Sequence, residues 1–99
     1  MDNTELKKYS DNIITVLSKI DDKWDIFNFL RDLLSEKEIL EFSRRFEVAL
    51  LLDKNISYIK IEEKTNMSST TIARISKFLK WENAWYQKAI SLLKSITDK

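Results

Sequence analysis

Apolar residues recur along this chain at spacings of three and four, the signature of helices with one buried side. Leu6, Tyr9, Ile13, Leu17 and Ile20 predict a first helix from about Thr4 to Ile20. Asp21 and Asp22 interrupt the pattern, and Asp22 supplies an N-cap for a second helix reaching about Leu34. Trp24, Ile26, Phe27, Phe29, Leu30, Leu33 and Leu34 lie nearly all round that helix. A helix apolar on most sides is normally enclosed, and in so short a chain a second subunit is the expected enclosure. An intertwined homodimer is the expectation, with Trp24, Phe27 and Phe29 in its interface, and a monomer with an enlarged core is the alternative. Ser35 to Glu38 reads as a capping box that opens the longest helix, to about Lys54. Ile39, Phe42, Phe46, Ala49 and Leu50 form one stripe along it, with Arg44 and Arg45 midway. Asn83 is the expected cap of a last helix through about Thr97, with Tyr86, Ala89, Ile90, Leu93 and Ile96 as its buried stripe.

Between these helices, the stretch from Ile56 to Lys80 predicts two short helices joined by a tight turn. Ser57 caps the first, through about Lys64. Asn66 suits a left-handed turn residue, and Ser68 or Ser69 caps the second. Ile61, Thr65, Met67, Ile72 and Ile75 can face inward across the turn, the apolar lattice of a helix-turn-helix. On the second helix Ile72, Ile75 and Leu79 fall together, while Thr70, Ala73, Arg74 and Lys77 fall on the opposite side. That outer face suits a recognition helix, where Thr and Ala touch a thymine methyl and Arg forks onto guanine. An ordinary amphipathic helix with a solvated cationic face shows the same periodicity, so periodicity leaves both readings open.

Composition narrows the fold. Average usage would give roughly a dozen Gly plus Pro in 99 residues, and this chain has neither. Tight hairpins and Gly-rich phosphate loops are therefore disfavoured, and a single all-α domain is expected. The longest apolar run, Val48 to Leu52, is far too short to span a membrane, and the N-terminal MDNTELKKYSD has no apolar signal core. A soluble cytoplasmic protein is the expectation, and the absence of Cys fits it.

Charge matters locally. The net charge is +1, but residues 1–53 carry 8 basic and 12 acidic groups, whereas residues 54–80 carry 6 basic and 2 acidic. Positive charge gathers on the helix-turn-helix, where phosphate neutralisation would need it. Catalysis finds little support. Without His or Cys the usual triads, dyads and zinc sites cannot be built. Glu36, Glu38 and Glu41 are helical in spacing and lack the loop ligands of a hard-cation site, so no metal is expected.

Ile56-Ser57, Asn66-Met67-Ser68 and Thr70-Thr71-Ile72-Ala73-Arg74 resemble, in order and spacing, the tryptophan repressor family, more closely its YerC/YecD-like branch. Leu33-Leu34-Ser35-Glu36, Arg44-Arg45 and Val48-Ala49-Leu50-Leu51-Leu52 extend the resemblance upstream, so that it covers about Phe29 to Tyr86. Asn55 and Asn66 stand where the family usually has Gly, a departure that Asn tolerates because it accepts positive φ.

The resemblance implies a Trp-repressor-like domain over residues 1–99, with its helix-turn-helix at about 57–80, that binds double-stranded DNA as a homodimer and acts as a transcriptional repressor. Each recognition helix would enter a major groove, with half-sites about one helical turn apart. Thr70, Thr71 and Ala73 would face bases, with Ser68, Ser69 and Tyr58 beside them. Arg74 would reach a base edge or a phosphate, while Lys60, Lys77 and Lys80 hold the backbone. Glu62 sits awkwardly, where a DNA-facing helix would prefer Lys. Tryptophan repressors hold their corepressor between the helix before the motif and the recognition helix, with arginines on both walls. Arg74 matches one wall and Arg44 or Arg45 the other. Ile75, however, replaces the Gly of tryptophan-binding members, so the pocket is expected to be filled, with no tryptophan corepressor and no cofactor. A protein–protein interaction module that kept the fold and lost DNA binding is the competing reading. Salt-sensitive binding to duplex DNA separates the two.

Overall fold

The computed structural model describes residues 2–81 and 84–97, and its described residues are all-α, with no strand among them. The helices are α1 (Asn3–Lys19), α2 (Lys23–Leu33), α3 (Glu36–Asp53), α4 (Tyr58–Thr65), α5 (Ser69–Leu79) and α6 (Trp85–Thr97). The expected cap at Asn83 lies outside the described residues. None of the helices described is long and apolar enough to cross a membrane. The chain divides into two compact units, one through Ile39 and one from Leu40.

In the first unit, polar caps set the helix boundaries. Asp2 accepts from the Glu5 N–H at 2.9 Å, and Asp22 accepts from Trp24 and Asp25 at 2.8 and 3.1 Å. At the start of α3 the capping box is reciprocal. The Ser35 N–H donates to the Glu38 carboxylate at 2.9 Å, and the Glu38 N–H donates to Ser35 Oγ at 3.2 Å. The Ser35 backbone and hydroxyl together hold the Glu38 carboxyl below its ordinary range, against a small opposing effect of burial. No residue of α1 or α2 is buried. Ile13, Leu17 and Ile20 are half-buried, while Leu6 and Tyr9 are exposed. On α2, Trp24 and Leu33 are 61% and 50% exposed.

The second unit closes around Val48, Ala49 and Leu51 of α3, Ile61 of α4, Ile72 and Ile75 of α5, and Ile90 of α6. Deleting the side chain of a fully buried isoleucine here would cost about 2–5 kcal/mol. Left-handed asparagines bound α4 on both sides. Asn55, φ 61°, ends α3 in a Schellman arrangement: the Ile56 N–H donates to Leu51 O and the Asn55 N–H to Leu52 O. Asn66, φ 58°, ends α4 with its N–H on Glu62 O at 2.9 Å, the simpler left-handed cap. Thr65 is buried yet satisfied, because its hydroxyl donates to Ile61 O and accepts from the Met67 N–H.

Two expected apolar stripes are corrected by the packing. On α3 only Ala49 of the predicted stripe is buried, and Phe42 is 44% exposed. The helix instead turns Val48 and Leu51 toward α4 and α5, because both flanks of α3 are apolar and pattern alone does not choose between them. On α6 Ile90 is buried, Tyr86 and Ala89 are half-buried, and Leu93 and Ile96 are exposed. Ile96 lies about 120° round the helix from Ile90, so one face cannot bury both. Lys94 and Asp53, paired at 2.7 Å, tie α6 to the end of α3.

Candidate nucleic-acid interface

α4 and α5 are built to present one face of α5 outward. Ser57 Oγ caps α4 by accepting from the Lys60 N–H at 3.4 Å. Ser68, the cap of α5, accepts from the Thr71 N–H at 3.2 Å and shares a hydroxyl contact of 3.1 Å with Thr71 Oγ1. Burial of Ile72 and Ile75 then fixes the rotation of α5 about its axis. With that rotation set, Ser69, Thr70, Ala73, Arg74 and Lys77 are exposed, and Lys80 is exposed at the C-cap. Tyr58 and Lys60 are exposed on α4, as is Glu62. Thr71 departs from its neighbours: it is half-buried, and its hydroxyl is engaged by Ser68.

The outward face is short, polar and cationic, and Ala73 allows close approach of the helix to a surface. The backbone N–H groups of the first turn and the cations of the last two turns are suited to a polyanion. No group of three or more acidic side chains that could hold a metal occurs among the described residues.

Beside this face lies a cleft of about 300 Å3, lined by Arg45, Thr71, Arg74, Ile75, Phe78 and Tyr86. The arginine that shares it with Arg74 is Arg45, whose guanidinium also pairs with Glu41 at 3.1 Å; Arg44 is exposed and does not line it. Ile75 is only 3% exposed and forms one wall of the cleft. Its side chain serves the core, where Ile61 and Ile72 pack. Phe78 and Tyr86, which pattern reading assigned to no site, line the cleft as well. Phe78 follows Thr71 and Arg74 at spacings of seven and four, and that spacing was the available signal.

Of the expected interface residues Trp24, Phe27 and Phe29, all on α2, the first two share a face and Phe29 lies on the opposite side. Trp24 and Phe27 are exposed and packed edge to face, centroids 5.8 Å apart, and Phe29 is half-buried.

Comparison with known proteins converges on one family. The family model described as Trp repressor protein matches residues 8–94. The chain is 31% identical over 87 residues to "Uncharacterized protein YerC" of Bacillus subtilis (strain 168), covering 88% of this chain and 84% of that protein. Among solved structures it is similar to a TrpR like protein from Eubacterium eligens ATCC 27750. That match has 32% identity and a TM-score of 0.83, over 92% of this chain and 95% of the other.

Proposed function

The chain belongs to the Trp repressor family, and from that premise we propose that it is a sequence-specific transcriptional regulator, a repressor that binds duplex DNA as a homodimer. The observation that carries the reading is the division of α5, with Ile72 and Ile75 buried and Thr70, Ala73, Arg74 and Lys77 exposed. This outward face belongs to the segment in which the chain's positive charge gathers. Thr70 and Ala73 face bases. Thr71, half-buried beside them, accepts from the Ser68 hydroxyl and contributes its methyl group. Arg74 spans base edge and phosphate, and Lys60, Lys77 and Lys80 hold the backbone. Tyr58, Ser68 and Ser69 flank that contact.

Dimerisation is supported by the N-terminal helices, which bury nothing yet carry Trp24, Phe27 and Leu33 outward. The protein works in the cytoplasm, without cofactor. Free tryptophan is not its corepressor: Ile75 closes the side of the cleft where bare backbone would be needed, and Phe78 and Tyr86 occupy its margin. Calorimetry with millimolar L-tryptophan should show no saturable heat.

The test of the main reading is duplex binding measured against salt concentration, followed by selection of bound sequences from random DNA. Affinity should fall steeply with salt, and Lys77→Ala should shallow the slope by about one unit for every sequence. No salt-sensitive binding to any duplex, together with tight binding to a protein, would establish the interaction-module reading instead.

A further inference from the structure

The outward row of α5 does not stop at its last helical residue. Thr70, Arg74, Lys77 and Trp81 stand at i, i+4, i+7 and i+11, one row on a helical surface. Past Leu79 the chain keeps turning in the same sense. Lys80 has helical angles, φ −85° and ψ −9°, and the Trp81 N–H donates to Phe78 O at 3.2 Å. On its other side the Trp81 carbonyl accepts from the Ala84 N–H at 3.2 Å. The backbone of Trp81 is therefore held from both directions. Its ring packs edge-on against Phe78, centroids 4.8 Å apart, and is still 54% exposed.

Arg74, Lys77, Phe78 and Trp81 line a cleft of about 220 Å3. One half of it is cationic and the other aromatic. That pairing matches a nucleotide's backbone unit, in which an anionic phosphate adjoins the weakly polar edge of a deoxyribose. Two cations suit the phosphate, two ring edges suit the sugar, and an indole carries one N–H donor and no competing acceptor. A purely acidic partner would leave the aromatic half unused. A purely apolar partner would bury Arg74 and Lys77 without compensation.

Resting on the DNA-binding reading above, we propose that Trp81 completes the DNA-facing row of α5. The cleft it forms with Arg74 and Lys77 seats a backbone phosphate and its sugar at the margin of the major groove. Trp81 thereby positions the recognition helix without reading sequence.

Trp81 also borders an apolar groove with Phe46, Trp85, Tyr86 and Ala89, so coverage of its ring by a second copy of the chain is the outcome to be separated. The experiment compares the full-length parent chain with Trp81→Ala and Trp81→Phe in duplex binding across a salt series, with melting temperature and sedimentation measured in parallel. Trp81→Ala should weaken binding about tenfold for every duplex tested, and Trp81→Phe should stay within about twofold of the parent. The salt slope should be unchanged, because an indole releases no counterion. Unaltered affinity in Trp81→Ala overturns the proposal while leaving the DNA reading intact. A loss of affinity that appears only together with loss of the dimer also overturns it, and assigns the ring to the subunit interface. Absence of salt-sensitive binding by the parent chain overturns the DNA reading and this inference together.

Discussion

α1 and α2 are 17 and 11 residues long and bury no residue, whereas α4 and α5, 8 and 11 residues long, bury Ile61, Thr65, Ile72 and Ile75. The contrast does not arise from a shortage of apolar side chains in the N-terminal helices. Leu6, Tyr9, Ile14, Trp24, Phe27 and Leu33 are all exposed there. The shorter pair closes a core with α3 and α6 of its own chain. The longer pair leaves its apolar side chains exposed, and these are what the proposed dimer would bury.

The comparison breaks first, and most severely, at α2. If the proposed dimer uses α2, replacing Trp24 and Phe27 together with Asp should convert it to monomer at micromolar concentration, each lost aromatic anchor weakening association by about 2–4 kcal/mol. Sedimentation would read the change, and an unaltered mass would show that these residues are not the interface. Next in size is Ile72→Ala, expected to destabilise the protein by about 2–5 kcal/mol. Denaturant melts at two protein concentrations sharpen the contrast. The Ile72→Ala effect should be the same at both, whereas the effect of Leu33→Ala should depend on concentration, because it acts through association.

How much of this could be read from the chain depended on whether the signal was local. The caps at Asp22, Ser35 and Ser57 and the left-handed turn at Asn66 are decided within four residues and were legible, while the choice of Ser68 over Ser69 as cap of α5 was left to the structure. The inward set of Ile61, Thr65, Ile72 and Ile75 was legible too, since one short turn relates the two helices. The rotation of α3 was not. It carries apolar residues on two flanks, and only the packing of Val48 and Leu51 decides that Arg45 rather than Arg44 meets the cleft. The same limit applies to α6, whose apolar arc is wider than the face it buries. The partial openness of the cleft beside Ile75 depends on where Phe78 and Tyr86 come to rest, which no spacing rule supplies.

Two smaller effects remain, one within the second unit and one at the start of α3. Asn66→Ala should destabilise by about 1–2 kcal/mol, because a left-handed residue with a Cβ and no polar side chain is strained; Asn66→Gly should change stability far less. Thermal melts of the two variants check this. The smallest effect belongs to the start of α3. The Ser35 N–H lowers the Glu38 pKa in the folded chain, so its contribution is present above the unfolded value and is lost as pH falls through the folded one. The melting temperatures of the parent and Glu38→Gln should therefore differ slightly at neutral pH and converge in acid.

The two left-handed asparagines also bear on how this protein can move. A glycine at either junction would let the backbone swing widely, but Asn55 and Asn66 each rest in a narrow conformational well. α4 is thus bounded at both ends by residues with less backbone freedom than glycine, and the chain has no glycine to serve as a soft joint. A motif mounted in this way is displaced as one body rather than flexed within itself. On the DNA-binding reading, a signal that altered activity would then be expected to reposition α4 and α5 together rather than to change the angle between them.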